Sequence, residues 1–173
     1  LFVAFAMRGV GGFVWLQRTL FAVGSVWLVF ILYMTLATIV ADLLHLIFPP
    51  FKGGVWCALA ATLLLLTYGY INYRNPRTET ITIQSDKLRA ESLRIVAVSD
   101  IHLGYGTTRQ MLERYVERIN ALEPAVVVIV GDLIDSSILP VRQASMNEVL
   151  GRIKAADGVY MALGNHEYIS GID

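Results

Sequence analysis

The chain has 173 residues, with 14 basic and 14 acidic side chains, and its mean hydropathy is +0.58. Charged residues make up 16% of it, well below the roughly 25% of soluble domains. The first 73 residues hold only four charged residues, Arg8, Arg18, Asp42 and Lys52. The last hundred hold the other 24. This split excludes a uniform globular domain, a disordered chain and a collagen-like chain, and it predicts a membrane segment followed by a soluble domain.

Two uncharged apolar segments in the first half have the length of membrane spans. The first covers residues 19–41 and the second residues 53–73. A helix of this kind rises about 1.5 Å per residue and so can cross a hydrocarbon core of about 30 Å. Two buried helices of a soluble protein are the alternative, but apolar stretches of this length are typical of transmembrane helices. We therefore expect residues 1–77 to form a membrane anchor with two spans.

The basic residues near the spans predict their orientation. Arg8 and Arg18 precede the first span, Lys52 lies between the spans, and Arg74 and Arg77 follow the second. Because positive charge accumulates on the cytoplasmic side, this distribution favours a multi-pass protein whose soluble domain is cytoplasmic. The sequence has no basic cluster of the kind that binds nucleic acid, so no nucleic-acid partner is expected.

The soluble domain is predicted to begin after Pro76, which cannot continue a helix, and to cover residues 78–173. Its periodicity predicts the element order β-β-α-β-α-β and an α/β fold with a partly parallel sheet. The predicted strands are residues 78–83, 93–98, 125–130 and 158–163, with helical segments at 107–122 and 146–153. The segment 125–130 is continuously apolar, which is typical of a strand covered on both faces.

Three of these strands are followed directly by polar clusters. The clusters are Ser99-Asp100-Ile101-His102, Gly131-Asp132-Leu133-Ile134-Asp135 and Gly164-Asn165-His166-Glu167. Ligands bind at the carboxyl edge of open α/β sheets, so we expect these three loops to converge. The glycines are expected to permit tight turns at the strand ends.

The residue types in these loops predict a metal site. Asp100 and Asp132 would repel each other in one cleft unless a cation or a proton lay between them. His102 follows Asp100 by two residues, so an extended backbone would point both side chains to the same side. Asn165 adds a neutral oxygen, and the set suits Mn, Fe or Zn. Taken singly, each residue could instead be a helix cap or a surface side chain, but Gly-Asn-His-Glu should occur by chance on the order of once per 10⁵ positions.

The three motifs, in this order, resemble the first three motifs of the calcineurin-like metallophosphoesterases, over about residues 93–167. The resemblance implies the first half of a β-sandwich flanked by helices, with two divalent metal ions at the strand ends. It implies that Asp100 and His102 bind the first metal, that Asp132 bridges both, and that Asn165 binds the second.

The same resemblance implies a function for His166, as proton donor or charge stabiliser oriented by Asp135. The expected activity is hydrolysis of phosphomonoester, phosphodiester or pyrophosphate bonds by a two-metal-activated water. Membrane-anchored members of the superfamily include enzymes resembling UDP-diacylglucosamine pyrophosphohydrolases. A lipid-linked phosphate ester is therefore a candidate substrate, with the lipid bilayer as the other partner.

The family pattern continues with a lone histidine and Gly-His-x-His, but the only histidines here are His45, His102 and His166. The apolar residues 1–7 also resemble the end of an earlier hydrophobic segment. We therefore expect the chain to be an N-terminal piece of a longer enzyme and to be inactive alone. Two non-hydrolytic alternatives are a membrane sensor that only binds metal and a receiver-like module that accepts a phosphoryl group on Asp100 or Asp132.

Overall fold

In the computed structural model of the chain, the described residues are 14–49, 52–87, 92–135 and 137–170. The apolar start at residues 1–7 lies outside them. Contacts divide the chain into two compact units. One unit consists of Leu1–Ala22 together with Gln84–Asp173, and the other is Val23–Ile83. The predicted boundary between residues 77 and 78 stays a prediction.

Two long apolar helices lie in the first half, α1 (Val14–Ile47) and α2 (Gly54–Arg74). Both are long and apolar enough to cross a membrane, and α1 is longer than the predicted span of residues 19–41. Most of their large apolar side chains are exposed. The buried residues of α2 are the small residues Ala58 and Thr62, which lie one turn apart. The Thr62 hydroxyl lies 3.9 Å from the Met34 sulfur on α1. Small buried residues of this kind let two apolar helices approach each other without a soluble core.

The strand predicted over residues 78–83 is wrong. This segment has no regular secondary structure, and Ile81 and Ile83 are 82% and 83% exposed. A β-strand needs a neighbour that accepts and donates its backbone hydrogen bonds, and none of the described residues pairs with this segment. Alternation of β-branched residues is therefore insufficient to produce a β-strand at residues 78–83.

A three-stranded parallel sheet forms the centre of the unit that consists of Leu1–Ala22 and Gln84–Asp173. Its strands are β1 (Ile95–Val98), β2 (Val126–Val130) and β3 (Val159–Ala162), in the order β1-β2-β3. Each lies within a predicted strand, because the segments are short and apolar, with β-branched residues concentrated in β1 and β2. The predicted α/β fold with a parallel sheet is confirmed.

Among the residues that the structure describes, four helices accompany the sheet: α3 (Arg109–Ala121), α4 (Leu139–Gln143), α5 (Met146–Leu150) and α6 (Asn165–Ile169). The helical segment predicted from residue 107 begins at Arg109. Thr108 is the cap, since its hydroxyl accepts the Met111 N–H at 3.3 Å, whereas the Thr107 hydroxyl donates to the Ile101 carbonyl. Neither α4 nor α6 was predicted.

The core lies on one face of the sheet. Its centre consists of fully or almost fully buried apolar side chains, Leu103, Leu112, Val116, Val127, Ile129, Met146 and Val149. The prediction that the middle strand is covered on both faces is wrong for the described residues. Val130 is 53% exposed, and all four residues of β3 are exposed.

Candidate metal centre

The loops that follow β1 and β2 continue side by side beyond the ends of the strands. The His102 N–H donates to the Asp132 carbonyl at 2.9 Å, and the Leu103 N–H donates to the Leu133 carbonyl at 2.7 Å. The Asp135 N–H then donates back to the Leu103 carbonyl at 3.0 Å. Backbone hydrogen bonds therefore fix the first two polar clusters against each other.

Three residues other than glycine in these loops have left-handed backbone conformations. The φ angles are 54° at Asp100, 48° at His102 and 51° at Asp132. The predicted extended backbone at Asp100 and His102 is therefore wrong, although the two side chains do lie on the same side. Such conformations cost about 1–3 kcal/mol each in residues with a Cβ, and they concentrate at functional sites. Asp and His are among the residues that tolerate them best.

His102, Asp132 and His166 form a cluster whose ligand atoms all lie within 4.8 Å of one another. His102 Nε2 is 3.8 Å from Asp132 Oδ2, and the two imidazole rings meet edge to face at 4.5 Å. Ligands of a tetrahedral site with bonds of about 2.1 Å are about 3.4 Å apart, so small side-chain rotations would close the cluster around one ion. Two imidazoles and a carboxylate suit a borderline divalent metal.

The other two predicted ligands lie in more open positions. Asp100 Oδ1 is 3.8 Å from His102 Nε2, and its side chain is 66% exposed. Asn165 is exposed at the start of α6. The structure thus brings His102, Asp132 and His166 together, with Asp100 beside them.

The imidazole of His166 is held by Asp135. Its Nδ1 lies 3.0 Å from the Asp135 carbonyl oxygen and 3.3 Å from Oδ1. Because a carbonyl oxygen only accepts hydrogen bonds, this contact places a proton on Nδ1 and leaves Nε2 of the neutral ring free. The His166 N–H also donates to Asp132 Oδ1 at 3.0 Å, which fixes α6 next to the cluster.

Glu167 has a central role in the site that the sequence analysis did not assign. Its side chain is fully buried, and the carboxylate accepts the N–H groups of Asp132 at 2.9 Å, Ile134 at 3.0 Å and Gly164 at 2.6 Å. Burial alone would raise the pKa of Glu167, but these backbone hydrogen bonds outweigh it and lower that pKa. One carboxylate thus joins the loop after β2 to the loop after β3.

A helix-start signal could have revealed Glu167. Gly164 precedes α6 and Glu167 stands three residues later, so the carboxylate closes a capping box on the Gly164 N–H. The pattern Gly-x-x-Glu after a strand therefore indicates a helix beginning at Asn165 rather than an irregular loop. The prediction that Gly-Asn-His-Glu forms a strand-end loop is wrong for this reason.

The two glycines of the motifs are required by a close approach of backbones. A Cβ at Gly164 would collide with Asp132 Oδ1 and lie 2.6 Å from the Asp132 nitrogen. A Cβ at Gly131, whose φ is +72°, would lie 2.9 Å from the Gly164 Cα. Gly131 is needed for its positive φ, as the prediction of a tight turn supposes. Gly164 is needed because the backbone and the side chain of Asp132 lie against it.

Residues 93–172 match the family model described as calcineurin-like phosphoesterase. The chain is similar to a "Transmembrane protein with metallophosphoesterase domain" of Danio rerio, with 44% identity over 114 residues, which is 64% of this chain and 26% of that protein. The Bos taurus protein of the same name is 39% identical over 64% of this chain and 25% of its own length. The chain thus spans about a quarter of these relatives.

A more distant relative is the UDP-2,3-diacylglucosamine pyrophosphatase of Chlamydia trachomatis. It is 27% identical over 122 residues, which is 66% of this chain and 37% of that protein. No solved structure matches the chain. The transmembrane relatives and the two long apolar helices support a membrane location.

Proposed function

Because the chain belongs, through residues 93–172, to the calcineurin-like phosphoesterase family, we propose that it is part of a membrane-anchored, metal-dependent hydrolase of phosphate esters. The observation that carries the proposal is the cluster of His102, Asp132 and His166 at the carboxyl edge of the parallel sheet. Family, donor set and position in the fold all agree with this chemistry.

We propose a two-metal centre of Mn, Fe or Zn. In this assignment Asp100 and His102 hold the first metal, Asp132 bridges both, and Asn165 holds the second. The geometry supports a bridging position for Asp132, because its Oδ1 lies toward α6 and its Oδ2 toward His102. Divalent ions in such a centre supply a water of lowered pKa and neutralise phosphoryl oxygens.

His166 is proposed to act on the substrate rather than to bind a metal ion. Its Nδ1–H is held by Asp135, so the free Nε2 is the atom that can carry a proton to the leaving oxygen. The Asp135 carboxylate Oδ1 lies 3.3 Å from the same Nδ1. Asp135 thereby fixes the orientation of the ring.

The substrate is proposed to be a lipid-linked phosphodiester or pyrophosphate, cleaved next to the bilayer. Support comes from the apolar helices and from the similarity to a pyrophosphatase named for a diacylated nucleotide sugar. We further propose that residues 1–77 form a multi-pass anchor, that residues 78–173 begin the catalytic domain, and that this domain faces the cytoplasm. The positive residues near the spans support that orientation.

The proposal is tested in the complete protein with bis(p-nitrophenyl) phosphate and added Mn²⁺. Replacing His166 with Asn should spare the metal content and lower turnover by about 10²–10⁴-fold. His45→Asn, at the end of α1, is the matched control and should retain turnover. Metal binding without turnover in the wild type would favour a sensor, and a phosphoryl group on Asp132 would favour a receiver-like module.

A further inference from the structure

The loop between His102 and α3, residues 103–107, contacts the candidate metal centre on one side. Leu103 is fully buried and forms a bridge with Ile134 of the neighbouring loop. Gly104 is buried against Asp135, since a Cβ there would lie 3.2 Å from the Asp135 Cβ. The position of this loop therefore affects both the ligand that precedes it and the residue that orients His166.

On its other side the same loop contacts the first turns of α1. The Tyr105 hydroxyl donates to Gln17 Oε1 at 2.5 Å, and the Tyr105 ring lies 6.3 Å from the Phe21 ring. A Cβ at Gly106 would lie 3.5 Å from the Phe21 ring. Gln17 and Phe21 are four residues apart, so both lie on one face of α1.

The contact is polar and shielded from water. The Gln17 side chain is completely buried, and Tyr105 is half-buried. Burial raises the pKa of the Tyr105 hydroxyl, although the positive charge of Arg18 partly lowers it. The hydroxyl therefore stays protonated at neutral pH and remains a donor. A buried amide that loses this donor would leave a polar group poorly satisfied.

We infer that Gln17 and Tyr105 are a positioning pair, through which the start of α1 holds the loop 103–107 in the geometry that the metal centre needs. The inference rests on the proposed function of that centre. It implies that the first turns of α1 are part of the hydrolase unit, in addition to anchoring it. In the proposed multi-pass anchor, two consecutive spans cross in opposite directions, so the start of α1 and the chain after α2 would reach the same side.

The test measures Mn²⁺ affinity and hydrolysis of bis(p-nitrophenyl) phosphate by the complete protein in detergent. Tyr105→Phe and Gln17→Leu should each weaken Mn²⁺ binding by roughly 3- to 10-fold, as expected for a lost buried hydrogen bond. Saturating Mn²⁺ should restore most of the turnover, since neither residue touches the substrate. The double variant should be no weaker than the poorer single variant, because both remove the same interaction.

Tyr160→Phe is the matched control. Its hydroxyl also donates to a carbonyl, that of Asp157 at 3.1 Å, but at the opposite end of β3. Tyr160→Phe should therefore leave the Mn²⁺ affinity unchanged. Affinities of Tyr105→Phe and Gln17→Leu within twofold of this control, or fully additive losses in the double variant, would overturn the positioning pair. A wild-type protein that binds no Mn²⁺ would instead overturn the proposed function, and this inference with it.

Discussion

Glu167 offers the sharpest test of how the candidate centre is held together. Its buried carboxylate accepts the N–H groups of Asp132, Ile134 and Gly164, which belong to the loops after β2 and β3. Glu167→Gln keeps the shape of the side chain but exchanges one acceptor oxygen for a donating NH₂ group. Since all three partners are donors, the amide must face at least one N–H with another donor.

The expected cost follows from these three bonds. A hydrogen bond to a charged group contributes about 1.5–3 kcal/mol, and a buried donor left unsatisfied costs about 1–3 kcal/mol. Glu167→Gln leaves one donor unsatisfied and removes the charge from the remaining bonds, so we expect a loss of about 2–4 kcal/mol. Glu167→Ala removes all three bonds and should cost about 4–5 kcal/mol, a large part of a typical domain stability.

Amide hydrogen exchange is the appropriate assay. The three tryptophans all lie within the first 56 residues, so their fluorescence would not report on this site. Exchange of the Asp132 and Ile134 amides in the complete protein should accelerate in Glu167→Gln, and its melting temperature should fall. Glu117→Gln, an exposed position on α3, is the matched control and should change stability by less than about 0.5 kcal/mol. A Glu167→Gln protein that behaves like this control would refute the reasoning.

The stabilisation by Glu167 should depend on pH with a definite sign. Its pKa in the folded protein is lowered from the ordinary value of 4.5, because the backbone hydrogen bonds outweigh the effect of burial. The unfolded chain therefore binds this proton more readily, and stability rises with pH in that range. The stability difference between wild type and Glu167→Gln should be constant above about pH 5 and should shrink as pH falls through the folded pKa. A difference that grows on acidification would contradict the hydrogen-bond account.

Three other substitutions have defined outcomes. Asp132→Asn should abolish binding of at least one metal ion, because the proposed bridging position would lose its negative charge. Full metal content by elemental analysis would contradict the proposed assignment. Asp100→Gly should raise the stability of the metal-free protein by about 1 kcal/mol, because glycine adopts a positive φ without strain. The same substitution should weaken metal binding. A melting temperature below that of the wild type would contradict the claim that Asp100 is strained. Gly164→Ala should lower the free energy of unfolding by more than about 2 kcal/mol, because the added Cβ would collide with Asp132. A wild-type melting temperature would contradict the close approach of Gly164 to Asp132.

The sheet and the main helix could be predicted because their signals are local. The three paired strands are short apolar segments, and α3 has apolar residues at helical spacing that are buried in the core. The wrong prediction of a strand at residues 78–83 shows the limit of such local signals. A strand exists only when a partner, distant in sequence, completes its hydrogen bonds, and no alternation of side chains specifies that partner.

The candidate site was predictable in composition but only partly in geometry. Residue types at strand ends indicated which side chains would meet, and His102, Asp132 and His166 do meet. The left-handed backbone at Asp100 and His102 was not predictable, because side chains other than glycine give no such signal. The sequence did not reveal that Glu167 joins the two loops, because the N–H groups of Asp132 and Ile134 lie 35 and 33 residues earlier in the chain.

The strand order β1-β2-β3 follows the order of the chain, and this bears on how the protein is made. β2 and β3 each leave the ribosome after the strand with which they pair, so the sheet can grow in one direction while translation continues. The hydrogen bonds from the Asp132 and Ile134 N–H groups to Glu167 can nevertheless form only after Glu167 has emerged. Translation through the third motif is thus the step at which the loop after β2 is joined to the loop after β3.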